Sequence, residues 1–287
     1  MKNDRLKLIT AMVIFGTIGL LRRSIPCASA VVALVRGVVG TAFLLLWRTF
    51  RGRRFHWAVL KNNALLLFLS GALIGINWVC LFEAYNYTAV SVATVCYYMA
   101  PIFVILASPL VLREKLTLRK GICAAVAFGG MVLSSGIGSD GGAAWRGIGL
   151  ALAAAAMYAS VILLNKRIEG MEAEERTAVQ LFAAALVLLP YVLLKTGLPT
   201  AAELSGQAIL LLLVAGILHT GVAYTLYFGS LGGVSAQSAA LLSYMDPVVA
   251  LLLSALVLQE KLSLLAWVGA GLVIAAAVAS ELGESAD

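Results

Sequence analysis

Two stretches of this chain, 64–82 and 89–112, contain no charged side chain. Each is long enough to cross a hydrocarbon layer, which is ~30 Å thick and takes about 20 apolar residues in helical form. The composition agrees: 62% of residues are hydrophobic and 12% charged, where soluble domains average about 45–50% and about 25%. A fold in water could not cover that excess, so the excess faces lipid. In lipid every backbone N–H and C=O needs a partner from the protein itself, which leaves helices and closed barrels. Barrel strands show alternating segments of roughly ten residues, and the runs here are about twice that length. The chain is therefore read as an all-α membrane protein.

Apolar runs between turn and charge signals give ten expected transmembrane helices, at 6–21, 28–47, 64–82, 89–112, 119–137, 146–164, 176–194, 207–228, 235–258 and 263–281. Of the 21 lysines and arginines, fifteen fall on the side of the N-terminus, in the groups Lys2 to Lys7, Arg48 to Lys61, Arg113 to Lys120 and Lys166 to Arg176. Five fall opposite (Arg22, Arg23, Arg146, Lys195, Lys261), and Arg36 lies within the second span. Basic loops stay in the cytoplasm, so both termini are expected there. This bias also accounts for the net charge of +7 without a nucleic-acid partner. The basic start and the apolar stretch 8–21 look like a signal peptide. Arg22 and Arg23 close it in place of small cleavage-site residues, so it is read as an uncleaved first helix. The four cysteines show no metal spacing and are read as small buried hydrophobes.

The most specific local pattern is a near-duplicate. Tyr98-Met99-Ala100-Pro101 precedes Arg113-Glu114-Lys115-Leu116-Thr117, and Tyr244-Met245-Asp246-Pro247 precedes Gln259-Glu260-Lys261-Leu262-Ser263. Every matched pair is offset by 146 positions, with no gap. Five spans separate the copies, an odd number, so the second copy is expected upside down. The chain then divides into 1–140 and 141–287, two inverted five-helix repeats. Secondary transporters use that plan because two related bundles can rock about a central site.

These paired segments, Pro101 to Leu116 and Pro247 to Leu262, resemble the drug/metabolite transporter superfamily, specifically its EamA-type ten-helix members. Arg36 in the second span and Asn77-Trp78 in the third add to the likeness, which covers nearly the whole chain. The resemblance implies a carrier of the bacterial plasma (inner) membrane, commonly an exporter of amino acids or related metabolites and often proton-coupled. Members often have glutamate before the second proline, where this chain has the shorter Asp246.

Ionisable groups within spans cost at least about 2.5–3.5 kcal/mol to insert, so each needs a reason. Asp246 sits mid-span beside Pro247, and proline frees a carbonyl one turn back. A carboxylate in a loosened helix can bind a proton, a cation or a substrate amine. His219 and Glu83 are further coupling candidates, set against packing and interfacial roles. Arg36 is read as structural, held by a carboxylate or carbonyl. Trp78, Tyr97, Tyr98, Tyr158, Tyr224 and Tyr244 are polar-tipped rings suited to a cavity wall or to holding an ammonium group, and Asn77 joins them as a substrate candidate. Tyr227 is read as an interfacial anchor. Pro101, Pro247, Glu114 and Glu260 are assigned to structure.

Rival functions find less support. HExxH, GxSxG and aspartate clusters for phosphate-bound magnesium are absent from the sequence, so no catalytic residue, metal or cofactor is expected. Short loops argue against a receptor or assembly protein. The leading expectation is a secondary transporter of an amino acid or related zwitterion, with protons as a candidate coupling ion. The alternative is a carrier taking up an organic cation, such as a choline-like quaternary amine, through an aromatic cage. Oligomeric state is left open.

Overall fold

The computed structural model describes residues 2–88, 90–134, 145–257, 259 and 263–284, and every regular element among them is helical. In chain order these are α1 (Lys2–Arg23), α2 (Ser29–Phe50), α3 (Trp57–Tyr87), α4 (Val90–Tyr97), α5 (Ala100–Leu112), α6 (Leu118–Ser134) and α7 (Trp145–Asn165). They are followed by α8 (Ala173–Tyr191), α9 (Gly206–Gly216), α10 (Ala223–Ser230), α11 (Ala236–Leu242), α12 (Met245–Leu256) and α13 (Leu264–Glu284). Wider π turns occupy Val192–Thr196 after α8 and Ile217–Val222 between α9 and α10. Seven segments among the described residues are long and apolar enough to span a membrane. They are Ser29–Phe50, Trp57–Tyr87, Val92–Val111, Trp145–Asn165, Ala173–Thr196, Gly206–Ser230 and Ala236–Leu253.

Four expected spans are not continuous α-helices: 176–194 ends in the π turn at Val192–Thr196, and three others are interrupted within. The run 89–112 breaks between α4 and α5, and 235–258 breaks between α11 and α12. Proline is the cause in both, because Pro101 and Pro247 each lack the N–H that would close the preceding turn. The third, 207–228, carries the π turn. Duplication extends to the backbone. Arg113 and Gln259, offset by the same 146 positions, are the two described non-glycine residues with positive φ, at 59° and 54°.

Packing interleaves the two halves of the chain. Helix α1 lies on α10 and α12, α2 on α8 and α9, α3 on α7 and α8, and α6 on α13. Close approach of α3 to α8 depends on Gly71, where a Cβ would come within 2.5 Å of the Gln180 carbonyl oxygen. Gln180 itself is buried and donates to Ser70 Oγ at 2.6 Å and to Asn165 Oδ1 at 3.0 Å. It thereby ties α3, α7 and α8 together with its donor protons satisfied. Large apolar side chains such as Phe50, Leu110 and Leu194 remain exposed on the outside, as a lipid-facing surface requires.

Glu114 caps a helix of the other half. Its Oε1 accepts from Ala236 N at 2.8 Å and its Oε2 from Gln237 N at 3.4 Å, at the start of α11. The matching Glu260 lies outside the described residues.

Near the end of α2 that precedes Arg51, Arg48 is only 1% exposed. It donates to Glu172 Oε2 at 2.6 Å and to the Arg54 carbonyl at 2.8 Å, and lies 3.5 Å from the fully buried Glu175. Arg53 also bonds Glu172. Burial alone would raise the Glu172 carboxyl, but the bond from Arg48 and the charges of both arginines hold it below its ordinary value of 4.5. This cluster joins the α2–α3 connection to the start of α8.

Candidate functional site

Broken helices leave room between them. A cavity of about 210 Å³ lies where α1, α2, α3, α7, α10 and the two breaks meet. Its wall contains Trp78, Tyr97, Tyr98, Tyr158, Tyr224 and Asp246 from the expected substrate residues. Arg36 and Pro101, expected to be structural, line it as well.

Aromatic rings of the wall meet in two groups by edge and tilted contacts. Tyr97 lies 6.0 Å from Tyr98 and 5.9 Å from Tyr158, and Trp78 lies 6.3 Å from Tyr224. Such arrangements satisfy the ring quadrupoles, which holds the wall in shape. Asp246 stands in the first turn of α12, where the helix dipole favours a carboxylate. Gly16 lets α1 press against it: a Cβ there would lie 2.8 Å from the Asp246 carbonyl oxygen and 2.6 Å from Val249 Cβ. Tyr98 Oη donates to Asp246 Oδ2 at 3.4 Å. Tyr244 Oη donates to the Tyr98 carbonyl at 2.9 Å, so a side chain from one break satisfies an acceptor at the other.

Arg36 is held by neutral groups. Its Nε donates to Thr220 Oγ1 at 2.9 Å, and its guanidinium carbon lies 5.2 Å from the centre of the Trp78 ring. Among the described residues neither Arg36 nor Asp246 has an oppositely charged side chain within 4.0 Å. The cavity therefore offers one carboxyl group and one guanidinium group, each with capacity left for a ligand.

Other candidates stand away from it. Asn77 is buried behind the wall, donating to the Ala154 carbonyl at 2.5 Å and accepting from Tyr97 Oη at 3.4 Å. Tyr244 is fully buried at the helix break. His219 faces α1, with Nε2 2.8 Å from Thr17 Oγ1, and Glu83 is bonded to Tyr191. None of these four, nor Pro247, lines the cavity. Tyr227 corrects the interfacial reading: it is fully buried, stacked on Tyr158 at 6.4 Å. Met12, Phe15 and Ile18 of α1, with Leu81, Phe82, Ala100 and Ser243, complete the wall without having been singled out. Residues 12, 15 and 18 do share a helical face, but every face of a span is apolar, so spacing alone does not mark it.

A lipid-facing helical bundle around a small cavity with charged and aromatic walls is the build of a membrane transporter. The chain belongs to the EamA-like transporter family, which matches residues 6–136 and 145–280, one stretch in each half. It is 31% identical over 253 residues to the uncharacterized transporter YxxF of Bacillus subtilis (strain 168), covering 86% of this chain and 79% of the relative. It is 34% identical over 239 residues to Protein PecM of Dickeya dadantii (strain 3937), covering 80% and 75%. A protein of known crystal structure shares the fold at a TM-score of 0.84 and 20% identity, covering 98% of this chain and 97% of that one. Seven membrane-length segments among the described residues and bacterial transporter relatives make this a multi-pass membrane transporter.

Proposed function

We propose that the protein is a secondary active transporter of an amino acid or a related zwitterion, moving it outward by alternating access. One observation carries the reading: Arg36 and Asp246 line the same aromatic-walled cavity, and neither has an ionic partner among the described residues. A zwitterion brings the complement of both, a carboxylate for the Arg36 guanidinium and an ammonium for Asp246. The volume of about 210 Å³ suits one small metabolite. A proton competing with the substrate for Asp246 supplies the coupling.

The architecture proposed with it is ten spans in two inverted five-helix repeats, 1–140 and 141–287, in the bacterial plasma membrane with both termini cytoplasmic. Support comes from the 146-residue offset shared by motif and positive-φ residue, with helix breaks that match to within one position, and from the bias of basic loops. The organic-cation alternative is disfavoured by Arg36, whose positive charge already lies over the Trp78 face that an aromatic cage would use.

Ligand-induced thermal stabilisation of the purified protein tests the reading, because a ligand that binds the native state raises its stability by mass action. An amino acid should stabilise more than the matching amine or carboxylic acid. Both Asp246→Asn and Arg36→Gln should abolish that advantage. Stabilisation by choline that survives Arg36→Gln would overturn the zwitterion assignment in favour of the cation carrier.

A further inference from the structure

A second cavity, of about 270 Å³, adjoins the first and shares Ile18, Arg36 and Phe82 with it. It runs toward the α1–α2 connection, where Arg22 and Ser29 contribute to its wall. Arg22 is fixed there. It donates to the Ile25 carbonyl at 2.7 Å, to the Cys27 carbonyl at 3.0 Å and to Ser29 Oγ at 3.0 Å. All three acceptors are neutral groups, and together they set its position.

The passage thus has an arginine at each end. No described carboxylate lines it; of those nearby, Glu83 is bonded by Tyr191, and Glu203, near enough to act on Cys27 at the Arg22 end, is bonded by Thr200. Guanidinium groups stay protonated at any working pH, and a cleft lined by one sign of charge concentrates ions of the other.

We propose that this second cavity is an anion-selective vestibule, in which Arg22 is a binding station for the carboxylate of a solute travelling to or from Arg36. The matched chemistry is a small carboxylate or sulfonate. The geometry gives a hand-over between two guanidinium charges, and the Nη1–Nη2 fork of Arg36, left over by its Nε bond to Thr220, fits a carboxylate bidentately. That the Arg22 end opens outside the cell rests on the orientation proposed above. The charge preference does not depend on it.

The test uses the full chain with Cys27, Cys80, Cys96 and Cys123 replaced by serine and Ser29→Cys as the reporter. Membrane vesicles are exposed to an anionic thiol reagent, methanethiosulfonate ethylsulfonate, and to its cationic trimethylammonium counterpart. Each rate is divided by that of the same reagent with free 2-mercaptoethanol. The normalised anion-to-cation ratio should exceed one by on the order of tenfold and should fall toward one with added salt. Arg22→Gln should collapse the ratio, and Arg22→Lys should retain it. A merely structural clamp predicts the reverse for lysine, which keeps the charge but not the fork. A ratio at or below one, no reaction from either face, or a ratio unchanged by Arg22→Gln would overturn the proposal. Reaction from the cytoplasmic face alone, with the ratio high, would instead overturn the proposed orientation and leave the vestibule standing.

Discussion

Replacing Arg48 by methionine keeps a long unbranched stem and removes the charge that several groups share. Glu172 is 33% exposed and retains Arg53, so it loses little. Glu175 is fully buried. Without Arg48 it keeps only the His56 backbone N–H at 2.9 Å and His56 Nδ1 at 3.4 Å, on a ring that is 60% exposed. Removing one partner of a buried ion pair costs roughly 3–5 kcal/mol, because the other charge stays desolvated. The surviving His56 bonds place the loss near the lower end. Loss of the Arg48–Phe55 ring contact at 4.9 Å adds about 0.5–1 kcal/mol. We expect about 3–4 kcal/mol in total. Glu175→Gln in the same background removes the stranded charge, so the double variant should recover roughly 2 kcal/mol relative to the sum of the singles, within the range found for residues in contact. Denaturant unfolding in detergent micelles, followed by circular dichroism, measures all four corners of the cycle. A loss under about 1 kcal/mol for Arg48→Met, or strict additivity in the double variant, would refute the assignment of the cost to a desolvated Glu175.

Two further predictions concern packing and pH. Gly71→Ala should destabilise by about 1–3 kcal/mol, since the Cβ meets the α8 backbone at 2.5 Å. Gly129→Ala in α6, where a Cβ meets nothing within 4 Å, should instead stabilise by up to about 1 kcal/mol through helix propensity, and a thermal melt of both variants reads the opposite signs. Glu172 contributes stability that is present above its ordinary value of 4.5 and is lost as the pH falls through its lower folded value. The melting-temperature gap between wild type and Glu172→Gln should therefore close on acidification, and a gap constant from pH 7 to pH 4 would contradict the ion pairing described for that carboxylate.

What could be seen in the sequence follows from how local each signal is. The loosening at Pro247 is legible because proline acts on its own turn, whereas the full breaks at Pro101 and Pro247 divide runs that the sequence presents as continuous spans. Asp246 and the tyrosines stood out because polar groups are scarce within spans. Which side of a helix such a group occupies was not legible. In a soluble helix the apolar stripe marks the core, but lipid and protein interior are equally apolar. Asn77 and Tyr244 were therefore grouped with the cavity although they pack behind it, and Met12, Phe15 and Ile18 passed unnoticed. Arg36 was expected to find a carboxylate or a carbonyl. It took a threonine hydroxyl presented by the π turn at Ile217–Val222, a local widening that no proline announces.

The contact between the two helix breaks has a consequence for how such a chain can vary. Tyr98 and Tyr244 are equivalent residues of the two halves, and one bonds the backbone of the other. Two residues further on, the equivalent positions hold Ala100 and Asp246, and both line the cavity. An assembly of two identical halves would carry either two carboxylates there or none. Two would repel across a small space, and none would leave no counter-charge to Arg36. Covalent fusion of the halves permits a third state, a single negative charge at a point of near-symmetry, with each copy free to mutate alone. The odd charge is thus something that two identical halves cannot encode.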